Sequence, residues 1–111
     1  MKHFAFTLNL KNDSKAIAAY KEYHRNVWPE IERTQRRLGV KKIRIFLHGR
    51  RLFLYMETAD DYDPQRASIE YLREPKAVEW ERLMQTNFQE QLPEAKPGEW
   101  WLPMEPIYEL D

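Results

Sequence analysis

The sequence predicts an α+β domain in the order β-α-β-β-α-β, on three observations. Residues near the N-terminus and in the middle of the chain alternate apolar and polar with a period of two. Two longer stretches repeat apolar residues three or four apart. The breaks between them carry caps, prolines and glycines where element ends need them.

In order, His3 to Leu10 reads as a strand, with Phe4, Phe6, Leu8 and Leu10 on one face and His3, Ala5, Thr7 and Asn9 on the other. Asn12-Asp13-Ser14 offers an N-cap to a helix from Ser14 to about Arg25, whose stripe is Ile17, Tyr20, His24 and Val27. Pro29 interrupts that helix or restarts one at its first position, and Gly39 closes it. Val40 to Leu47 and Leu52 to Met56 form two strands around a His48-Gly49-Arg50-Arg51 turn, where Gly49 is free to take positive φ. A short helix is expected from Pro64 to about Leu72. A longer one runs from Pro75 to about Gln91, burying Val78, Leu83, Met84 and Phe88. Pro93, Pro97 and Gly98 break the chain into an exposed loop, Glu94 to Glu99. Pro103 to Leu110 is expected as a terminal strand, confined to an edge by Pro103 and Pro106.

This order is that of the ferredoxin-like fold, a four-stranded antiparallel sheet with helices on one face. Here the strands carry apolar or aromatic residues on both faces, so the open face is expected to meet a second copy. The expected assembly is a homodimer of the dimeric α/β barrel type, two sheets closing on one another.

Residues 1–111 make one domain. There is no cysteine, which removes disulfides and thiolate metal sites. Basic and acidic residues balance at 18 each, which argues against a nucleic-acid or anionic-membrane binder. No apolar run nears the roughly 18 residues of a membrane span, and no signal-peptide layout is present, so the expected location is cytoplasmic. Aromatic residues reach 14%; core packing covers most of them, but full burial of all four tryptophans would be odd in so small a domain, and aromatic faces also suit sugars.

Tyr20 and His24 are spaced i and i+4, so they share the inward face of the first helix. A histidine there is either a hydrogen-bonded core residue or an acid/base group. His3 and His48 sit near the terminus and in a turn, and the three histidines have no metal-ligand spacing, so no metal is expected.

The block Tyr20-Lys-Glu-Tyr-His24-Arg-Asn-Val-Trp28-Pro29-Glu30-Ile31 resembles the L-rhamnose mutarotase family, whose members carry a Tyr, a His four residues on, and then Trp-Pro-Glu. Ile45-Phe46-Leu47, Glu79-Trp80 before Leu83-Met84, and Pro106-Ile107-Tyr108-Glu109-Leu110 extend the resemblance over nearly the whole chain. It implies a dimeric ferredoxin-like sandwich, a monosaccharide substrate and no cofactor. It also implies His24 as the acid/base residue, Tyr20 as a substrate contact or proton relay, and Trp80 in the sugar pocket. Two positions depart from the rhamnose enzymes: Ile43 stands where they have a pocket Tyr, and Glu81 where they have a second consecutive Trp. A branch of the family associated with L-fucose resembles the chain more closely. It shares Glu79-Trp80-Glu81, Ala95-Lys96-Pro97-Gly98-Glu99, Trp101 and Pro103-Met104-Glu105. The resemblance therefore favours a mutarotase for L-fucose over L-rhamnose, delivering one anomer to deoxysugar catabolism.

Mutarotation opens the pyranose ring and recloses it on the other face of C1. It needs one group to take the anomeric proton and another to protonate the ring oxygen. His24 suits that traffic at the ring end of the sugar, and Trp80, Trp28 and Trp101 offer platforms to its C–H face. Glu30 and Glu81 compete to be the second group. An acid in the first turn of a helix is also what the dipole favours for Glu30, and an exposed helix face would account for Glu81. Trp28 also has a plain reading as a core anchor beside Pro29. Two other functions use the same scaffold: a cofactor-independent monooxygenase-like enzyme and a non-catalytic dimeric module.

Overall fold

In the computed structural model, which describes all 111 residues, the N-terminal alternation becomes the central strand of the sheet. Strand β1 spans Lys2–Leu10. Asp13 caps helix α1, Ser14–Arg25, by accepting from the Lys15 N–H at 3.0 Å. Pro29 starts a separate helix α2, Pro29–Arg37; Trp28 before it is held in extended backbone, as a residue preceding proline must be. Gly39 ends α2 at φ 102, and the chain turns into β2, Val40–His48. A tight turn at Gly49-Arg50, with Gly49 at φ 60, leads to β3, Arg51–Thr58. Helices α3, Pro64–Tyr71, and α4, Pro75–Asn87, each begin with a proline and an acidic cap, Asp63 and Glu74.

With the short strand β4, Gln89–Glu90, at one edge, the strand order is β2-β3-β1-β4, all antiparallel, as the βαββαβ pattern requires. The register settles which side chains share a face. Phe6, Leu54 and Ile45 form one row across β1, β3 and β2, Phe4, Met56 and Ile43 a second, and Leu8, Leu52 and Leu47 a third. This apolar face packs under the helices, where Leu10, Ile31, Leu52, Ala77, Trp80, Met84 and Phe88 form the buried core. The opposite face carries His3, Thr7, Phe46, Phe53 and Tyr55, and no helix covers it; Phe46 is 53% exposed. No helix is long and apolar enough to cross a membrane.

Two expectations are corrected. The last helix stops at Asn87 rather than Gln91, because the edge of β1 claims the residues beyond it. Lys11 N–H bonds to the Phe88 carbonyl at 2.8 Å, and Gln89–Glu90 pair with Leu10 and Asn9 as β4. The segment Pro103 to Leu110 is not a strand. Only Leu102–Pro103 joins the sheet, as β5 on Thr7 and Phe6, followed by one bond from Met104 N–H to the Ala5 carbonyl. Pro103 and Pro106 have no N–H to give a ladder, and Ile107, Tyr108 and Leu110 remain exposed. The fourth strand is thus one edge strand in two pieces, β4 and β5, with residues 91–101 looped out between them. Val78 and Leu83 are half-buried, and Ala77 and Trp80 take the innermost positions of α4 instead.

Candidate active site

Between the sheet and the helices lies a cavity of about 530 Å³, within the range of small-molecule sites. Its floor is apolar sheet: Phe6, Ile43, Ile45, Leu54 and Met56. Its polar groups come from the helices and the edge strand: Tyr20 and His24 of α1, Tyr71 of α3, Glu81 of α4 and Gln89 of β4.

His24 sits in the last turn of α1, and its Nδ1 lies 2.8 Å from the main-chain oxygen of Tyr20, one turn earlier. A carbonyl can only accept, so Nδ1 carries the hydrogen and the neutral ring keeps an unprotonated Nε2. Burial holds the imidazole below its ordinary value of 6.5, against the opposing pull of that carbonyl bond. At neutral pH the ring is therefore a neutral base. The Tyr20 ring lies over it at 4.2 Å between centroids, and Trp80 meets it edge-on at 5.5 Å. Burial pushes the Tyr20 phenol well above its usual 10, despite the Gln89 amide beside it. The phenol thus stays protonated and serves as a hydrogen-bond donor.

Glu81 is the second notable group. Tyr71 donates its hydroxyl to Glu81 Oε1 at 2.9 Å, and Glu81 takes part in no ion pair. Burial raises its carboxyl above the ordinary 4.5, partly offset by the Tyr71 bond. Tyr71 is itself pushed far up, by burial first and then by the Glu81 charge. Gln89 is 3% exposed, and its Oε1 is buried with no hydrogen-bond partner. Such an atom is rare in a native fold and asks for an explanation.

The structure brings Tyr20, His24, Trp80, Glu81, Ile43 and Trp101 to one cavity. It does not bring Trp28 or Glu30 there. Trp28 packs behind Trp80, with ring centroids 5.0 Å apart and Lys76 Nζ 5.6 Å from its own ring, so it anchors the wall from outside. Glu30 lies in the first turn of α2, where the dipole accounts for it. Trp101 arrives at the end of the looped-out segment. That loop is braced by a turn at Pro97-Gly98, with Glu99 N–H bonded to the Lys96 carbonyl at 3.0 Å, and by Gln91 Nε2 on the Glu99 carbonyl at 2.9 Å. Tyr71 and Gln89 were not anticipated from sequence. Neither lies in a motif, and each reaches the cavity only through the packing of α3 on α4 or the pairing of β4. No group of three or more His, Asp or Glu side chains is clustered as a metal site would need.

The family model described as L-rhamnose mutarotase matches residues 3–110. The chain is 44% identical to a UPF0734 protein of Dictyostelium discoideum, over 99% of this chain and 90% of that one. It is 36% identical to the L-fucose mutarotase of Xanthomonas campestris pv. campestris, over 91% of this chain and 82% of the other. Among solved structures, the L-rhamnose mutarotase of Formosa agariphila superposes with a TM-score of 0.74 at 22% identity, covering all of both chains. The tetracenomycin F2 cyclase of Streptomyces glaucescens, a type II polyketide cyclase, superposes at 0.60 and 16%, over all of this chain and 98% of that one. These two likenesses concern the fold, and they show an antiparallel α+β sheet that hosts more than one chemistry.

Proposed function

From its membership of the L-rhamnose mutarotase family, which makes the chain a sugar mutarotase and so an isomerase of carbohydrates, we propose that it interconverts the α and β anomers of L-fucose in preference to L-rhamnose, with His24 as its central acid/base. The observation that carries the role of His24 is the bond from its Nδ1 to the Tyr20 carbonyl. That bond leaves Nε2 as a base of fixed orientation in a cavity of suitable size. Tyr20, protonated and beside the imidazole, orients the sugar through a hydroxyl. Trp80 and Trp101 supply apolar wall, with Ile43 opposite on the sheet. The preference for L-fucose is supported by the relative of that printed activity and by Glu81 and Ile43, which replace aromatic residues of the rhamnose enzymes. A pocket that hydrogen-bonds a particular hydroxyl discriminates strongly against sugars that place it elsewhere.

Anomer-exchange NMR on L-fucose and L-rhamnose separately, with wild type and His24→Ala, tests this reading. Wild type accelerates exchange, faster on L-fucose, and His24→Ala loses about 10²-fold or more of the enzymatic rate. Equal rates for wild type and His24→Ala would remove His24 from the chemistry, and a faster L-rhamnose exchange would reverse the sugar preference.

The uncovered sheet face supports a homodimer. Phe46 and Phe53 stack there at 5.9 Å, next to a hydrogen-bonded chain in which His3 donates to Tyr55 and Tyr55 to Glu57, and an apolar C-terminal tail leaves the same sheet. Sedimentation gives twice the chain mass for wild type and the single mass for Phe46→Glu; a wild-type monomer at micromolar concentration rules the dimer out.

A further inference from the structure

We propose that Glu81, held in place by Tyr71, is the second proton-handling group of the anomer exchange and works in tandem with His24. The inference rests on the mutarotase reading and names the group that this reaction requires beyond the histidine.

Ring opening moves two protons. One group removes the proton from O1–H. Electrons from that bond form the C1=O1 carbonyl, the C1–O5 pair withdraws onto O5, and a second group protonates O5. After rotation about C1–C2 the same steps run backward: the O5 proton is removed, O5 attacks C1 from the other side, and O1 is reprotonated. Each group ends as it began, and no oxidant, reductant or leaving group is involved. Because O1 and O5 are bonded to the same carbon, the two groups must converge on neighbouring atoms. Each must also serve as acid in one half of the cycle and base in the other.

Glu81 meets these demands through its place in the fold. Glu81 and His24 line the same cavity, and the Glu81 charge reaches the Tyr20 phenol, whose ring centroid lies 4.2 Å from that of His24. Its Oε1 is occupied by the Tyr71 hydroxyl, while Oε2 has no protein partner and stays accessible. No cation neutralises it. A half-buried carboxyl on a mostly apolar wall, without an ion pair, is costly to keep for structure alone. The other titratable side chains of the wall are Tyr20 and His24 from α1, Glu32 from α2, Tyr62 before α3, and Tyr71. Burial moves the two groups toward each other, the imidazole down from 6.5 and the carboxyl up from 4.5. Shifts in this sense narrow the difference in proton affinity between the two groups, which favours a reaction run in both directions. Tyr71 is a positioning residue: it fixes the carboxyl rotamer through one oxygen and leaves the other to the sugar.

The experiment measures anomer-exchange rates against sugar concentration and pH for wild type, Glu81→Gln and Tyr71→Phe, with folding checked by circular dichroism. Glutamine is isosteric and can still accept from Tyr71. Glu81→Gln is expected to lower kcat by about 10²-fold with little change in KM. It also converts a bell-shaped pH profile, whose limbs belong to the coupled pair, into a single titration. Tyr71→Phe keeps most of kcat and shifts the profile toward higher pH, because the donor that favours the carboxylate is gone. A Glu81→Gln protein with wild-type kcat, or one altered only in KM, overturns the proposal while leaving the mutarotase reading intact. A wild-type protein silent on every aldose tested overturns that reading and this inference with it.

Discussion

The buried amide oxygen of Gln89 is unpaired and costs the fold stability, and on the proposed function a sugar hydroxyl is expected to supply its missing donor. A desolvated polar atom without a partner costs about 1–3 kcal/mol. Gln89→Met keeps the length of the side chain and removes the orphan. It is expected to raise Tm, by roughly 4–8 °C per kcal/mol gained in a domain near this size, and to raise KM for the sugar. A drop in Tm would show that the amide braces Tyr20 instead. Gln89 was hidden at the level of sequence because its neighbours Asn87, Glu90 and Gln91 are equally polar; only pairing with Leu10 turns it inward. Tyr71 was hidden for a related reason, since its partner Glu81 lies ten residues on, across a helix boundary. By contrast His24 and Tyr20 announce themselves, because an i, i+4 spacing on an apolar stripe fixes their common face whatever the tertiary packing.

Element boundaries follow local chemistry where a strong stop exists and tertiary pairing where none does. Asp13, Pro29, Pro64 and Pro75 start their helices where capping rules place them. The end of α4 has no glycine or proline before Pro93, so periodicity ran past it into residues that the sheet edge captures. Gly39 shows what a true stop is worth. A Cβ there would find ordinary room, 3.6 Å from the Ala59 Cβ, but φ 102 is hostile to any L side chain. Gly39→Ala is expected to cost about 1–2 kcal/mol in urea unfolding. Its neighbours Leu38 and Val40 line the cavity, so exchange activity falls as well. Gly49→Ala, at φ 60 in the open hairpin turn and away from the cavity, is the control: similar destabilisation with activity kept.

Across the whole molecule, the two shifted cavity groups pull stability in opposite directions with pH. His24 has a lowered pKa in the fold, so its contribution is present above 6.5 and is lost as pH falls through the folded value. Glu81 has a raised pKa, so its contribution is present below 4.5 and is lost as pH rises through the folded value. Where these two windows, one below 6.5 and one above 4.5, overlap, the trends oppose. Relative to wild type, Glu81→Gln should make stability climb more steeply with pH across that overlap, and His24→Asn should make it climb less or fall. Urea midpoints at fixed pH measure both, and parallel curves for all three proteins would mean that neither group titrates differently on folding. Such coupling is invisible in a sequence, where charges sum to zero and burial is not yet assigned. The strand order, by contrast, was legible in the alternation of Phe4 to Leu10 and Ile43 to Met56, because a period of two with one apolar face leaves few sheets to build.

The atom that orients the imidazole of His24 belongs to the main chain and not to a side chain. Any residue at position 20 supplies the same oxygen, so no single codon change there can unseat the tautomer. The orientation of that ring is inherited with the helix itself, whereas the cavity walls, Ile43 and Trp101 among them, are each open to replacement one at a time. On the proposed chemistry, a lineage built this way can drift from one sugar to another while the orientation of its histidine is kept.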